Sequence, residues 1–163
     1  MMKKFFTISL FVLALTGCNN DAINEVIKSR PESTSATKQF ISTWNHPTEK
    51  KIPEGMYTAK STTSSGSTAL TSDLIYYFKE KSLTIKGSIN GTTLFFFPIN
   101  LSIDGRSDYS LKNGLITFSK IIGDGALFPI DGTPYEIGID GTVILYEISD
   151  NGIVTKTFLT KTD

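Results

Sequence analysis

One cysteine, one histidine and two arginines are spread over 163 residues, and each scarcity removes a class of function. The lone thiol, Cys18, has no partner for an intramolecular disulfide. With His46 as the single imidazole, the several His, Cys or carboxylate ligands that a zinc site gathers are not to be had, and His46, beside Trp44 and Asn45, reads as a solvated linker residue. Arginine is confined to Arg30 and Arg106, with no basic run longer than Lys50 and Lys51, so no nucleic-acid partner is expected. The longest uncharged, mainly apolar run, Phe5 to Leu15, covers about 11 residues. A membrane-crossing helix needs roughly 20, so a permanent span is not expected.

Catalytic patterns are equally scarce. There is no G-x-S-x-G elbow, and SSGST at Ser64 to Thr68 lies in a low-complexity stretch. No glycine-rich phosphate loop stands between a strand and a helix, and Glu80, Glu136 and Glu147 read as solvated residues on strand faces. The chain is therefore expected to be no enzyme and to need no cofactor. DGRSD, Asp104 to Asp108, has an oxygen-rich look but lacks the further ligands and terminal glutamate of an EF-hand, so it reads as a hairpin turn.

The amino terminus carries the clearest pattern. Lys3 and Lys4 form a positive segment, Phe5 to Leu15 an apolar one, and the small pair Thr16 and Gly17 then precedes Cys18, the layout of a secretory signal. Leu15, Thr16, Gly17 and Cys18 resemble the lipobox of bacterial lipoproteins. The resemblance implies cleavage between Gly17 and Cys18, a thioether from the Cys18 thiol to diacylglycerol, and palmitate-type acylation of the new N-terminus. A thiolate is the nucleophile that this chemistry needs. At roughly 0.8 kcal/mol per buried CH₂, two or three acyl chains hold a protein where one does not. The expected address is the cell envelope, and Asn19 after the lipidated residue implies, in a Gram-negative host, the outer membrane facing the periplasm. Of the 16 basic residues Lys3 and Lys4 lie ahead of Cys18, so the mature chain is close to neutral against its 16 acidic residues.

Three regions follow: residues 1–17 as the signal peptide, 18–52 as a polar tether, and 53–163 as a β domain. The tether is rich in Ser, Thr, Glu, Lys and Asn, with too little apolar surface to offset the entropy of ordering. Within it Phe40, Ile41 and Trp44 have helical spacing, which predicts a short helix over 36–45 before Pro47. The β domain holds seven Asn-Gly or Asp-Gly pairs, beginning at Asn90, Asp104, Asn113, Asp124, Asp131, Asp140 and Asn151 and spaced 7 to 14 residues apart. Such pairs supply the positive φ of a type I′ hairpin turn. Apolar residues alternate between them, as at Leu83, Ile85 and Ile89, at Tyr135, Ile137 and Ile139, and at Ile144, Tyr146 and Ile148.

This predicts an all-β fold, an antiparallel meander of about 8–9 strands closed as a barrel or folded as a sandwich, with a short N-terminal helix. Strands are expected at 55–61, 74–80, 82–89, 92–103, 109–112, 115–121, 135–139, 142–149 and 153–160. Loops are expected at 61–72 and 122–134, long enough to be functional or mobile. The meander order and the opening Gly55, Met56, Tyr57 resemble lipocalin-type domains at the level of fold, with Tyr57 standing where their first strand has tryptophan.

Two aromatic blocks are the candidate binding residues. In LFFFPINLSI, Phe95 and Phe97 share a strand face with Ile99 and Leu101 while Leu94 and Phe96 take the other, so both faces are apolar. The second face needs either the helix carrying Phe40 and Trp44 as a cover or a partner. In LIYYF, Tyr76 and Tyr77 fall on opposite faces, so one hydroxyl points inward. The interior of such a barrel either fills with side chains or holds one small ligand. The expected role is a lipid-anchored, non-catalytic binding module for a small apolar ligand or an envelope protein, with an immunity, inhibitor or assembly-accessory lipoprotein as the alternative.

Overall fold

A computed structural model describes residues 28–44, 51–65, 68–93, 97–149 and 152–162. Among the described residues the helix α1 (Ser35–Thr43) precedes eight strands: β1 (Gly55–Ser65), β2 (Thr68–Lys79), β3 (Ser82–Thr93), β4 (Phe97–Lys112), β5 (Leu115–Gly123), β6 (Thr133–Ile137), β7 (Val143–Ile148) and β8 (Val154–Thr162). Each strand pairs antiparallel with the next, and β8 returns to β1, so the sheet closes as an up-and-down barrel.

Two expected turns lie inside strands instead. Asn90 and Gly91 sit within β3, opposite Asn100 and Ile99 of β4, and Asp104 and Gly105 sit within β4, opposite Lys86 and Ile85. The expected strands 92–103 and 109–112 are consequently redistributed. Thr93 pairs with Phe97, so the chain reverses between them, and β4 then runs unbroken through DGRSD with a bulge between Arg106 and Asp108. Glycine serves close backbone approach at position 91, where a Cβ would lie 2.0 Å from the Ala69 carbonyl oxygen. Asn113 and Gly114, by contrast, have φ of 53° and 72° between β4 and β5, the double positive that a type I′ turn requires. The expected loop at 61–72 is also replaced, since β1 and β2 continue to Ser65 and Thr68, while residues 66–67 lie outside the described residues.

Inward residues of the first three strands are Tyr57 and Ala59, then Leu70, Leu74, Tyr76 and Phe78, then Leu83, Ile85 and Ile89, all buried in one core. The end of the barrel near the β4–β5 turn is filled by aromatic rings. Phe78 meets Tyr57 and Tyr109 edge-on, each at 5.6 Å between ring centres, and the Tyr57 hydroxyl donates to the Pro53 carbonyl oxygen at 2.9 Å. Two joints in the wall are weaker. β5 and β6 share only two residue pairs, and β1 and β8 only three before they part.

Residues 28–44, read from sequence as part of a tether, are held on the barrel. Thr34 caps α1 by accepting from the Thr37 backbone N–H at 3.1 Å, and the Thr37 hydroxyl donates to the Ile148 carbonyl oxygen at 3.1 Å. The helix lies against β7, while Leu94 to Phe96, the block it was expected to cover, lie outside the described residues. Trp44 lies 4.8 Å from the Tyr146 ring and 5.2 Å from Phe40, and its indole N–H donates to the Gly114 carbonyl oxygen at 2.9 Å.

Candidate functional site

The helix on β7 decides which way that strand faces. Ile144, Tyr146 and Ile148 alternate as a core face would, yet Tyr146 turns outward against α1 while Val143 and Leu145 enter the core. By the same alternation Glu147 points into the barrel, opposite Thr155 of β8. Its reading as a solvated strand residue is therefore corrected: the outer face of β7 is apolar because a helix covers it, which leaves the inner face for the carboxylate. Glu136 does face outward and accepts a short hydrogen bond from the Tyr146 hydroxyl. Glu80 occupies the β2–β3 turn with φ of 45° and is exposed.

Tyr76 is the inward member of the tyrosine pair, 5% exposed, and Tyr77 the outward one, 49% exposed. Tyr76 and Glu147 face one interior. Burial raises the Glu147 carboxyl above the ordinary carboxylate range, and burial followed by the Glu147 charge raises the Tyr76 hydroxyl. Neither side chain has a hydrogen-bond or ion-pair partner among the described residues.

Two cavities adjoin this pair. One, of about 140 Å³, is walled by Phe78, Leu83, Ile85, Leu101 and Ile103 and roofed by Pro31 to Thr34. The other, of about 180 Å³, lies where β1 and β8 separate, between Ala59, Ser61, Leu74 and Thr157. Tyr76, Ile89 and Glu147 line both, so the three form the partition. An empty site of about 150 Å³ accepts a benzene ring, and ordinary ligand sites begin near 300 Å³, so the interior suits a ring or a short branched chain.

The roof is tied by Arg30. Its guanidinium donates to the carbonyl oxygens of Phe128 at 2.9 Å, Pro129 at 3.1 Å and Phe118 at 3.4 Å, joining β5 to the connection that leads into β6. Ile130 N–H donates to the Pro31 carbonyl oxygen at 3.2 Å, and the fully buried Phe128 ring meets Phe118 at 5.3 Å. Ser33, in this roof, has a buried hydroxyl without a hydrogen-bond partner among the described residues. Sequence reasoning missed Arg30 and Glu147. Both needed the long-range pairing, although the isolation of Arg30 as one of two arginines was a signal.

The remaining candidates separate. Leu94, Phe95 and Phe96, the side chain of Phe97, Gly17, Cys18 and His46 lie outside the described residues. Asp104 and Asp108 of DGRSD are bound instead to Lys86 at 3.2 Å and Lys120 at 2.9 Å, and no cluster of three His, Cys, Asp or Glu gathers among the described residues. No described helix is long and apolar enough to cross a membrane, which says nothing of strands. Compared with protein-family models, curated proteins and solved structures, the chain matches none.

Proposed function

We propose that this protein is a lipid-anchored lipoprotein of the cell envelope whose barrel binds a small apolar ligand without transforming it. The observation that carries the binding reading is the cavity under the Arg30 roof, walled mainly by apolar side chains, with Tyr76 and Glu147 on the partition that separates it from the more polar second cavity. Sites of this make-up, mostly apolar with a few convergent polar groups, are those that bind small molecules. The likeness of the chain's opening strand to lipocalin-type barrels is in keeping with it.

The lipobox ending at Cys18 supports the anchor, and with it the envelope address, the outer membrane in a Gram-negative host. Nine residues, 19 to 27, would separate the lipidated Cys18 from Lys28, three residues ahead of the roof at Pro31. Fully extended they reach roughly 30 Å, so the roofed end would stay close to the bilayer, where apolar solutes concentrate.

Two experiments test the proposal. The protein purified from its envelope is expected to show, in native mass spectrometry, a bound mass that solvent extraction removes and that Ile89→Phe, which fills the partition, abolishes. No bound mass, or one retained unchanged by Ile89→Phe, overturns binding in the barrel. Cys18→Ala is expected to release the protein from the membrane fraction and change its processing; unchanged fractionation and processing overturn lipidation.

A second reading, docking of an envelope protein as an immunity, inhibitor or assembly factor would dock, is favoured by Met56, Ile75 and Tyr77. These are exposed neighbours on the outer face of β1 and β2. Crosslinking in cells from a photoreactive residue at 77 is expected to recover one reproducible partner on this reading, and recovery of none removes it.

A further inference from the structure

We infer that the ligand is a small apolar amine, its ammonium seated between the Glu147 carboxylate and Tyr76 and its apolar part in the cavity under the Arg30 roof. The inference rests on the binding reading above and names the ligand's chemistry.

The carboxylate is the reason. Glu147 is half-buried, and a carboxylate drawn largely out of bulk water without a partner is costly. Thr155 and Thr157 of β8 are uncharged, Tyr76 of β2 has no bond to it, and Leu145 of the same strand is apolar. Two lysines, Lys60 and Lys156, border the second cavity, and each is engaged elsewhere. Lys60 pairs with Asp73 at 3.1 Å, and Lys156 lies 5.2 Å from the centre of the Tyr146 ring. Glu32, in the roof, adds a second acid to the cavity wall and no base. The cavity under the roof thus has acids but no cation in its lining, and it holds a phenol ring whose face also attracts a cation.

Size narrows the class. The cavity of about 140 Å³ takes one ring, while the parting of β1 from β8 opens the second cavity beside Glu147 as a route for a polar end. A charge-assisted hydrogen bond in such a site is worth tenfold or more in affinity.

The probes are benzylamine, benzyl alcohol and benzoate, which share a ring that fits the cavity and differ in the polar end. Titrated into the full-length chain by calorimetry, benzylamine is expected to bind about tenfold or more tightly than benzyl alcohol, and benzoate most weakly. Glu147→Gln, nearly the same shape, is expected to erase the amine's advantage and leave the alcohol's affinity within about threefold. Benzyl alcohol or benzoate binding as tightly as the amine overturns this inference while leaving the barrel a binding site. An amine preference that survives Glu147→Gln also overturns it. Failure of all three probes overturns the binding reading as well.

Discussion

The Arg30 guanidinium donates from Nε to the Phe128 carbonyl oxygen at 2.9 Å, joining positions 98 residues apart in the chain. Between β5 and β6 the ladder has only two residue pairs, and Arg30 ties Phe118 of β5 to Phe128 and Pro129 in the connection that leads into β6. A planar donor with several N–H groups suits such a tie better than a point charge. Arg30 thereby completes the barrel wall from outside the sheet.

Arg30→Ala is expected to destabilise the protein by about 2–3 kcal/mol, because the carbonyls of Phe118, Phe128 and Pro129 lose a charged donor while partly shielded from water. The midpoint of urea unfolding measures it. Amide exchange is expected to quicken at Leu127, Phe128 and Ile130, around the roof, and to stay slow in β2 and β3. Lysine in its place would recover less than half of the loss. A midpoint unchanged within error would show that the roof is not held by this residue.

Trp44 is the only tryptophan and spans two contacts, ring packing on Tyr146 and the indole N–H to the Gly114 carbonyl oxygen. Trp44→Phe removes the hydrogen bond and keeps most of the packing, with an expected loss of about 1 kcal/mol. Trp44→Ala loses both, about 2–3 kcal/mol, and frees α1 from β7. Tryptophan fluorescence follows the wild type: its emission should shift to longer wavelength when Phe40→Ala loosens the helix. No shift would mean that Trp44 is held independently of Phe40.

How much of this could be read from sequence depends on whether a signal was local. Period-two alternation and glycine dipeptides announced antiparallel strands, and for Asn113-Gly114 the turn is as expected because both residues adopt positive φ. The same dipeptide signal misled at Asn90-Gly91, where glycine answers to a neighbouring strand. Alternation also misled at Ile144, Tyr146 and Ile148, because a helix from outside the barrel gave β7 a second apolar face. That inversion hid Glu147. Tyr76 was legible as one of two, since adjacent residues must take opposite faces, but only the pairing with Tyr57 and Ile85 says which turns inward.

Gly91 offers a direct check on its place within a strand. A methyl group there would lie 2.0 Å from the Ala69 carbonyl oxygen and 2.9 Å from the Leu70 Cα, so β2 and β3 would have to part. Gly91→Ala is expected to cost about 2 kcal/mol, as overpacking does. Gly141→Ala, with open space around it, bears only the strain of its φ of 84° and should cost about 1 kcal/mol. Urea midpoints of the two variants in that order support the strand assignment; the reverse order would return Asn90-Gly91 to a turn.

Glu147 predicts a pH dependence with a definite sign. Burial raises its carboxyl in the folded protein, so the folded state takes up this proton at a higher pH than the unfolded chain, whose glutamate titrates near about 4.3. Above the folded value the carboxylate is charged in both states, and the fold bears its full burial penalty. As pH falls through the folded value towards the unfolded one the native state binds more protons, and stability rises until both forms are protonated. Glu147→Gln is neutral throughout. The variant should therefore be more stable than wild type at high pH, with the difference shrinking towards acid and vanishing below the unfolded value. Subtracting the two stability curves removes the other titrating groups that the proteins share, including Asp140, whose carboxyl is lowered by the Thr142 backbone N–H. A difference that is flat with pH would show that Glu147 does not titrate inside the barrel. One that grows towards acid would show that a cation holds it charged there. The same subtraction repeated with saturating benzylamine should reverse sign at high pH, since the bound ammonium makes the charged carboxylate the favoured form.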